Sequence, residues 1–149
     1  MDVSAVVPQL IPIVQHVLAG LLNSSGSGLF GKIREGAAIA NYFADTAASY
    51  GENPLINGVV DAFIKGDAGQ NISELAGETK DIGTVMNIVG GLDSLLSGAG
   101  EQGVEVKQFI YGLAETVASA AGEGLFGSGD RIGTGERQFL DALRGTLGL

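Results

Sequence analysis

The residues GSGLFGK, 26 to 32, have the glycine spacing and closing lysine of a loop that wraps phosphate, and GEGLFGSG at 122 to 129 nearly repeats them. Such a loop needs a Ser or Thr hydroxyl after the lysine to reach magnesium, and a β-strand before it to present its backbone amides. Ile33 stands in the hydroxyl's place, and Val14 to Leu22 read as helix. Both copies also fit G-x-G-x-x-G, a weak pattern in a chain with 25 glycines among 149 residues, and both follow helical stretches. In each, GxGLFG is followed by a basic residue beside isoleucine, Lys32 with Ile33 and Arg131 with Ile132, and then by a new helix. The two stretches therefore read as versions of one helix-to-helix joint, plugged by Leu29 with Phe30 and by Leu125 with Phe126. No nucleotide is expected.

Other catalytic chemistry lacks its parts. There is no cysteine, so disulfides, thiolate zinc sites and thiol nucleophiles are excluded, and the lone His16 cannot build a multi-histidine zinc site. No serine sits in a G-x-S-x-G elbow to use His16 as its base. The carboxylates Asp45, Glu52, Asp61, Asp81, Asp93, Glu101, Glu105, Glu115 and Asp141 are spread as on a solvated surface, without the E-x-x-H pairs of a di-iron bundle. The expectation is a protein that is not an enzyme. Its 17 acidic against 8 basic residues, a net charge of −9, oppose binding to nucleic acid and to anionic lipid. Cations, or a protein partner with a basic surface, suit it better.

The elements that must position any site are helical. Val7, Leu10, Val14, Val17, Leu18 and Leu21 recur at helical spacing beside a narrow polar stripe of Gln9, Pro12, His16 and Asn23. Val3 to Leu22 has the length of a membrane span, but Gln9, Gln15, His16, Pro8 and Pro12 argue against one, and Met1 with Asp2 against a secretory signal. A mature cytoplasmic start is expected, with membrane contact at most peripheral. A second helix is expected over Ile33 to Ser49, with Ala40, Phe43 and Ala47 on one face. Asn53 and Pro54 open a third that stops at Gly66. Asn71 with Glu74 caps a fourth, whose register runs from Leu75 to Leu96 with a bend or split at Gly90 and Gly91. Val106 to Val117 mark a fifth helix, and Phe139, Leu140, Leu143 and Leu147 a sixth. The chain is expected to be one all-α domain over 1–149, a compact bundle of five to seven helices with pseudo-duplicated hairpins. Glycines inside its helices are expected at close Gly and Ala contacts.

Residues 113 to 149, LAETVASAAGEGLFGSGDRIGTGERQFLDALRGTLGL, resemble the TerB-like family associated with tellurite resistance and stress operons. The shared features are a helix ending in small residues, an acidic turn with Asp, a basic residue and Ile, then Glu opening a helix that ends near Leu-Gly-Leu. The chain departs at Arg131, where Gly is usual, and at Gly133, where Ser often caps the helix. The resemblance implies an all-helical fold with its hairpin at 104–149, cation binding for which calcium has been proposed, and a role in stress-response complexes at the inner membrane surface. Carried over by position, Asp130 is the turn aspartate and Glu136 the helix-opening glutamate, with Glu123 a neighbour in the insertion. GDAGQNISELAGE, with Asp67, Ile72, Glu74 and Glu78, is a looser first-half counterpart.

Calcium takes about 6 to 8 oxygen ligands, so Asp130, Glu136 and Glu123 would need loop carbonyls and water to complete a shell. The EF-hand template fails, because Ile132 occupies its third position. Without a ligand, Glu136 would gain from the helix dipole in a first turn, and Asp130 would be an ordinary turn former. Two readings stand: a non-enzymatic TerB-like module with a divalent cation at the acidic turn, and a self-associating helical subunit with no metal. The apolar first helix is either the centre of the bundle or an interface.

Overall fold

Asp2 starts the first helix. Its Oδ1 accepts from the Ser4 hydroxyl at 2.7 Å and the Ser4 backbone N–H at 3.1 Å, and these two bonds hold its carboxyl below the usual carboxylate range. The computed structural model describes residues 2–25, 39–46, 49–65, 82–122 and 134–149. Within them lie α1 (Val3–Ser25), α2 (Pro54–Ile64), α3 (Ile82–Gly90), α4 (Leu92–Leu95), α5 (Glu101–Gly122) and α6 (Thr134–Leu147). Residues 39–46 are also helical, and no strand occurs among the described residues. The fold is an all-α bundle.

α1 is its central helix, packing against α2, α3, α5 and α6. Leu10, Ile13, Val14, Val17, Leu18 and Leu21 are buried on its inward side. Pro8 and Pro12 lie inside the helix and are exposed. Proline has no N–H to give the carbonyl four residues earlier, so the freed carbonyls of Ser4 and Pro8 belong to residues on the wet side. Val3–Leu21 is long and apolar enough to cross a membrane by length and composition, but 44% of that window is buried inside the bundle.

Three glycines let helices approach where a side chain would collide. A Cβ on Gly20 of α1 would stand 2.7 Å from Phe139 of α6 and 2.9 Å from Val85 of α3. One on Gly58 of α2 would stand 2.7 Å from Val7 of α1, and one on Gly112 of α5 would stand 2.5 Å from the Tyr42 hydroxyl. Glycine inside a helix costs about 0.5–1 kcal/mol relative to alanine, and close packing offsets that cost here. The helix from Leu75 onward divides at Gly90 and Gly91 into α3 and α4, and its expected cap at Asn71 and Glu74 lies outside the described residues.

Of the second helix expected over Ile33 to Ser49, residues 33–38 and Ala47 lie outside the described residues. Ala40 is exposed, whereas Phe43 and Thr46 are buried and Ile39 and Tyr42 half-buried. The larger side chains claim the interior because each buries more apolar area than Ala40 would.

α1 leads directly to the first GxGLFG joint and α5 to the second, so each joint follows a helix. Gly122 follows Gly26 by 96 residues, and that offset carries several buried positions of α1 onto buried positions of α5, though Ala19 falls on exposed Glu115. Leu10 pairs with Val106, Val14 with Ile110, Val17 with Leu113 and Leu21 with Val117, all buried. Beyond the joints the same offset pairs Phe43 with Phe139, both buried. Phe43 stacks on Phe109 of α5 at a ring separation of 6.2 Å, while Phe139 lies against Gly20 of α1. The segment after each joint thus touches the long helix before the other, as two crossed copies of one hairpin would.

Candidate functional site

Three side chains other than aliphatic and aromatic ones are buried among the described residues: Thr46, Asn53 and Glu136. Thr46 satisfies its hydroxyl on its own helix, donating to the Tyr42 carbonyl at 2.7 Å. Asn53 is a joint between helices. Its Oδ1 accepts from the N–H groups of Leu55 at 3.1 Å and Ile56 at 3.3 Å, capping α2 ahead of Pro54. Its Nδ2 donates to the Gln102 carbonyl at 3.1 Å and to Glu105 Oε1 at 3.2 Å, which pins that cap to α5.

Glu136 differs from both, because it is the one charged side chain buried among the described residues, at 3% exposure. It is the third residue of α6. Phe139, Leu140, Leu143 and Leu147 follow it at helical spacing, all buried, so Glu136 begins the inward stripe of that helix. An ionised carboxylate removed from water costs several kcal/mol or more unless hydrogen bonds, a counter-charge or a bound proton compensate. The start of α6 contributes part of such compensation, since the N-terminal end of a helix carries about half a positive charge. Glu136 occupies the first-turn position expected of it, and is buried there.

The other two residues of the expected cation turn, Glu123 and Asp130, lie outside the described residues, as do Lys32, Arg131 and the Asp67 to Glu78 stretch. Among the described residues no three His, Cys, Asp or Glu side chains gather closely enough to hold a metal. Glu136 suits a hard divalent cation as an oxygen ligand.

His16 is half-buried on α1, with Nδ1 2.7 Å from the Pro12 carbonyl one turn earlier. That contact is local to the helix. Asp45, Glu52, Asp61, Asp93, Glu101, Glu115 and Asp141 are exposed and Glu105 is partly so, as a solvated surface would have them. Asp93 pairs with Lys107 between α4 and α5, and Asp61 with Lys65 at 3.6 Å.

Tyr42 carries a tertiary contact that the sequence reading did not single out. Its hydroxyl donates to the Phe109 carbonyl at 2.9 Å, over the bare Cα of Gly112. Loss of solvent, then Tyr50 and Glu115, pushes its phenol well above the ordinary tyrosine value. The pairing of a tyrosine with a glycine 70 residues on leaves no periodic signal in the sequence.

Compared with known proteins, the chain matches no protein-family model, no curated protein and no solved structure.

Proposed function

We propose that the protein is a non-enzymatic helical module of the TerB-like kind, which takes a divalent cation, calcium first among candidates, at the acidic turn before α6. The observation that carries this reading is the burial of the Glu136 carboxylate at the head of a helix whose inward stripe is otherwise apolar. A cation held there by Glu136, with Asp130 and Glu123 as the further carboxylates, would find the charged oxygen ligands that calcium prefers. It would also tie the joint after α5 to α6, so that binding changes the stability of the hairpin. The acidic balance favours a basic or cation-bridged protein partner, and the C-terminal resemblance suggests a cytoplasmic stress-response complex at a membrane surface.

The alternative, a self-associating subunit without metal, was motivated by the apolar first helix. α1 packs against four other helices, which buries part of that face and favours the central-helix reading. The experiment that separates the two is calorimetric titration of the metal-free chain with calcium, alongside light scattering. Saturable heat that disappears in Glu136→Gln supports the module; no heat together with concentration-dependent growth in mass supports the subunit.

A further inference from the structure

Asn57 and Gly58 form the one Asn-Gly pair in the chain; Asn23, Asn41, Asn53, Asn71 and Asn87 are each followed by a residue that carries a side chain. Both members of the pair are fixed by the fold. A Cβ on Gly58 would stand 2.7 Å and 2.9 Å from the two γ-methyl groups of Val7 on α1, so the position excludes a side chain. Asn57 donates through Nδ2 to the Gly51 carbonyl at 2.8 Å, which ties the first turn of α2 to the segment before it. Packing and hydrogen bonding have thus set side by side the two residue types whose shared backbone rearranges most readily, since glycine leaves its nitrogen unhindered and its dihedrals free.

We propose that Asn57 is a deamidation site, closed while α2 is helical and open when it is not. The Gly58 nitrogen gives up its proton and bonds to Cγ of Asn57; the Cγ–Nδ2 bond breaks, and ammonia leaves with a proton in place of the lost bond, leaving a cyclic imide. Water then opens the ring at either carbonyl, giving aspartate, or isoaspartate with an added methylene in the main chain. In α2 the Gly58 N–H points along the helix toward the Pro54 carbonyl and Nδ2 is held on Gly51, so nucleophile and leaving group are both engaged. Ring closure also requires Asn57 to abandon helical dihedrals. The reaction therefore passes through local opening of α2, and its rate follows the open fraction. It is one-way: aspartate has no donor for Gly51, and isoaspartate lengthens the backbone where Gly58 must meet Val7. The proposal is independent of the cation reading, because it turns on α1 and α2 alone.

The test is to age the full chain at mildly alkaline pH, with and without denaturing guanidinium chloride, and to map its peptides by mass spectrometry with isoaspartate detection. In denaturant Asn57 should convert first among the asparagines. Without denaturant its conversion should be about tenfold or more slower, since only opened molecules react. Gly20→Ala, which crowds Phe139 and Val85 against α1, should speed the native reaction. Chain aged until Asn57 is converted should melt below fresh chain, whereas Asn57→Gln aged alike should not change, because glutamine must close a larger ring. Equal rates with and without denaturant, another asparagine converting faster in denaturant, or converted chain that melts like fresh chain overturns the proposal. The peptide map of the unaltered chain decides even if Asn57→Gln does not fold.

Discussion

The ring of Phe139 lies against the bare Cα of Gly20, so close that a β-carbon there would stand 2.7 Å from its Cε2 atom. The same β-carbon would stand 2.9 Å from Val85, so it would collide with two side chains at once. Gly20→Ala should therefore destabilise the fold by about 1–3 kcal/mol, the usual cost of overpacking, despite alanine's better helix propensity. Thermal melting of Gly20→Ala against Gly20→Ala with Phe139→Leu checks the cause: the smaller side chain should recover part of the loss.

Gly145 makes the opposite case. It is an exposed residue within α6, and a β-carbon there would meet nothing within 4 Å. Gly145→Ala should raise stability by roughly 0.5–1 kcal/mol through helix propensity and a less flexible unfolded chain. Urea unfolding that shows a lower midpoint would place an unseen contact at that position.

Asn53 uses both ends of its amide, so its substitutions should separate the cap from the cross-link. Asn53→Ala loses both and should cost about 1–3 kcal/mol. Asn53→Asp keeps the acceptor for Leu55 and Ile56 but turns a carboxylate oxygen toward Glu105 and the Gln102 carbonyl. Like charge raises the folded-state pKa of the introduced carboxyl. Its cost should then be present at neutral pH and fall away as the pH drops through the carboxylate range. Denaturation midpoints for both variants between neutral and mildly acidic pH provide the check.

The Tyr42 phenol is held neutral by the fold, so the folded state binds its proton more tightly than the unfolded state does. The associated stability is complete below the unfolded value of about 10 and declines as the pH rises above it. Tyr42→Phe should lose about 0.5–1.5 kcal/mol at neutral pH with the bond to Phe109, and should flatten the alkaline decline. Stability curves that keep the same alkaline slope in the variant would assign the decline to another group.

Much of the bundle is legible in the sequence because it follows from periodicity and local chemistry. The stripe from Leu10 to Leu21, the Asn53–Pro54 start of α2 and the break at Gly90 and Gly91 each depend on residues within a few turns of one another. What escapes is tertiary. Ala40 and Phe43 share a helical spacing, but competition for the interior went to Tyr42, Phe43 and Thr46, and only neighbouring helices decide that. Glu136 lies between these cases: its first-turn place follows from local chemistry, and extending the stripe of Phe139, Leu140, Leu143 and Leu147 back by one turn lands on it and accounts for its burial.

The central proposal is that a divalent cation binds at Glu136, and thermal unfolding with and without calcium tests it most directly. A ligand at 100 times its dissociation constant stabilises a fold by about 2.7 kcal/mol, which for a chain of this length is a shift of several degrees. The account predicts that shift for the unaltered chain. It predicts none for Glu136→Gln, which removes the proposed carboxylate ligand. An equal calcium shift in both proteins, or none in either, would contradict the account.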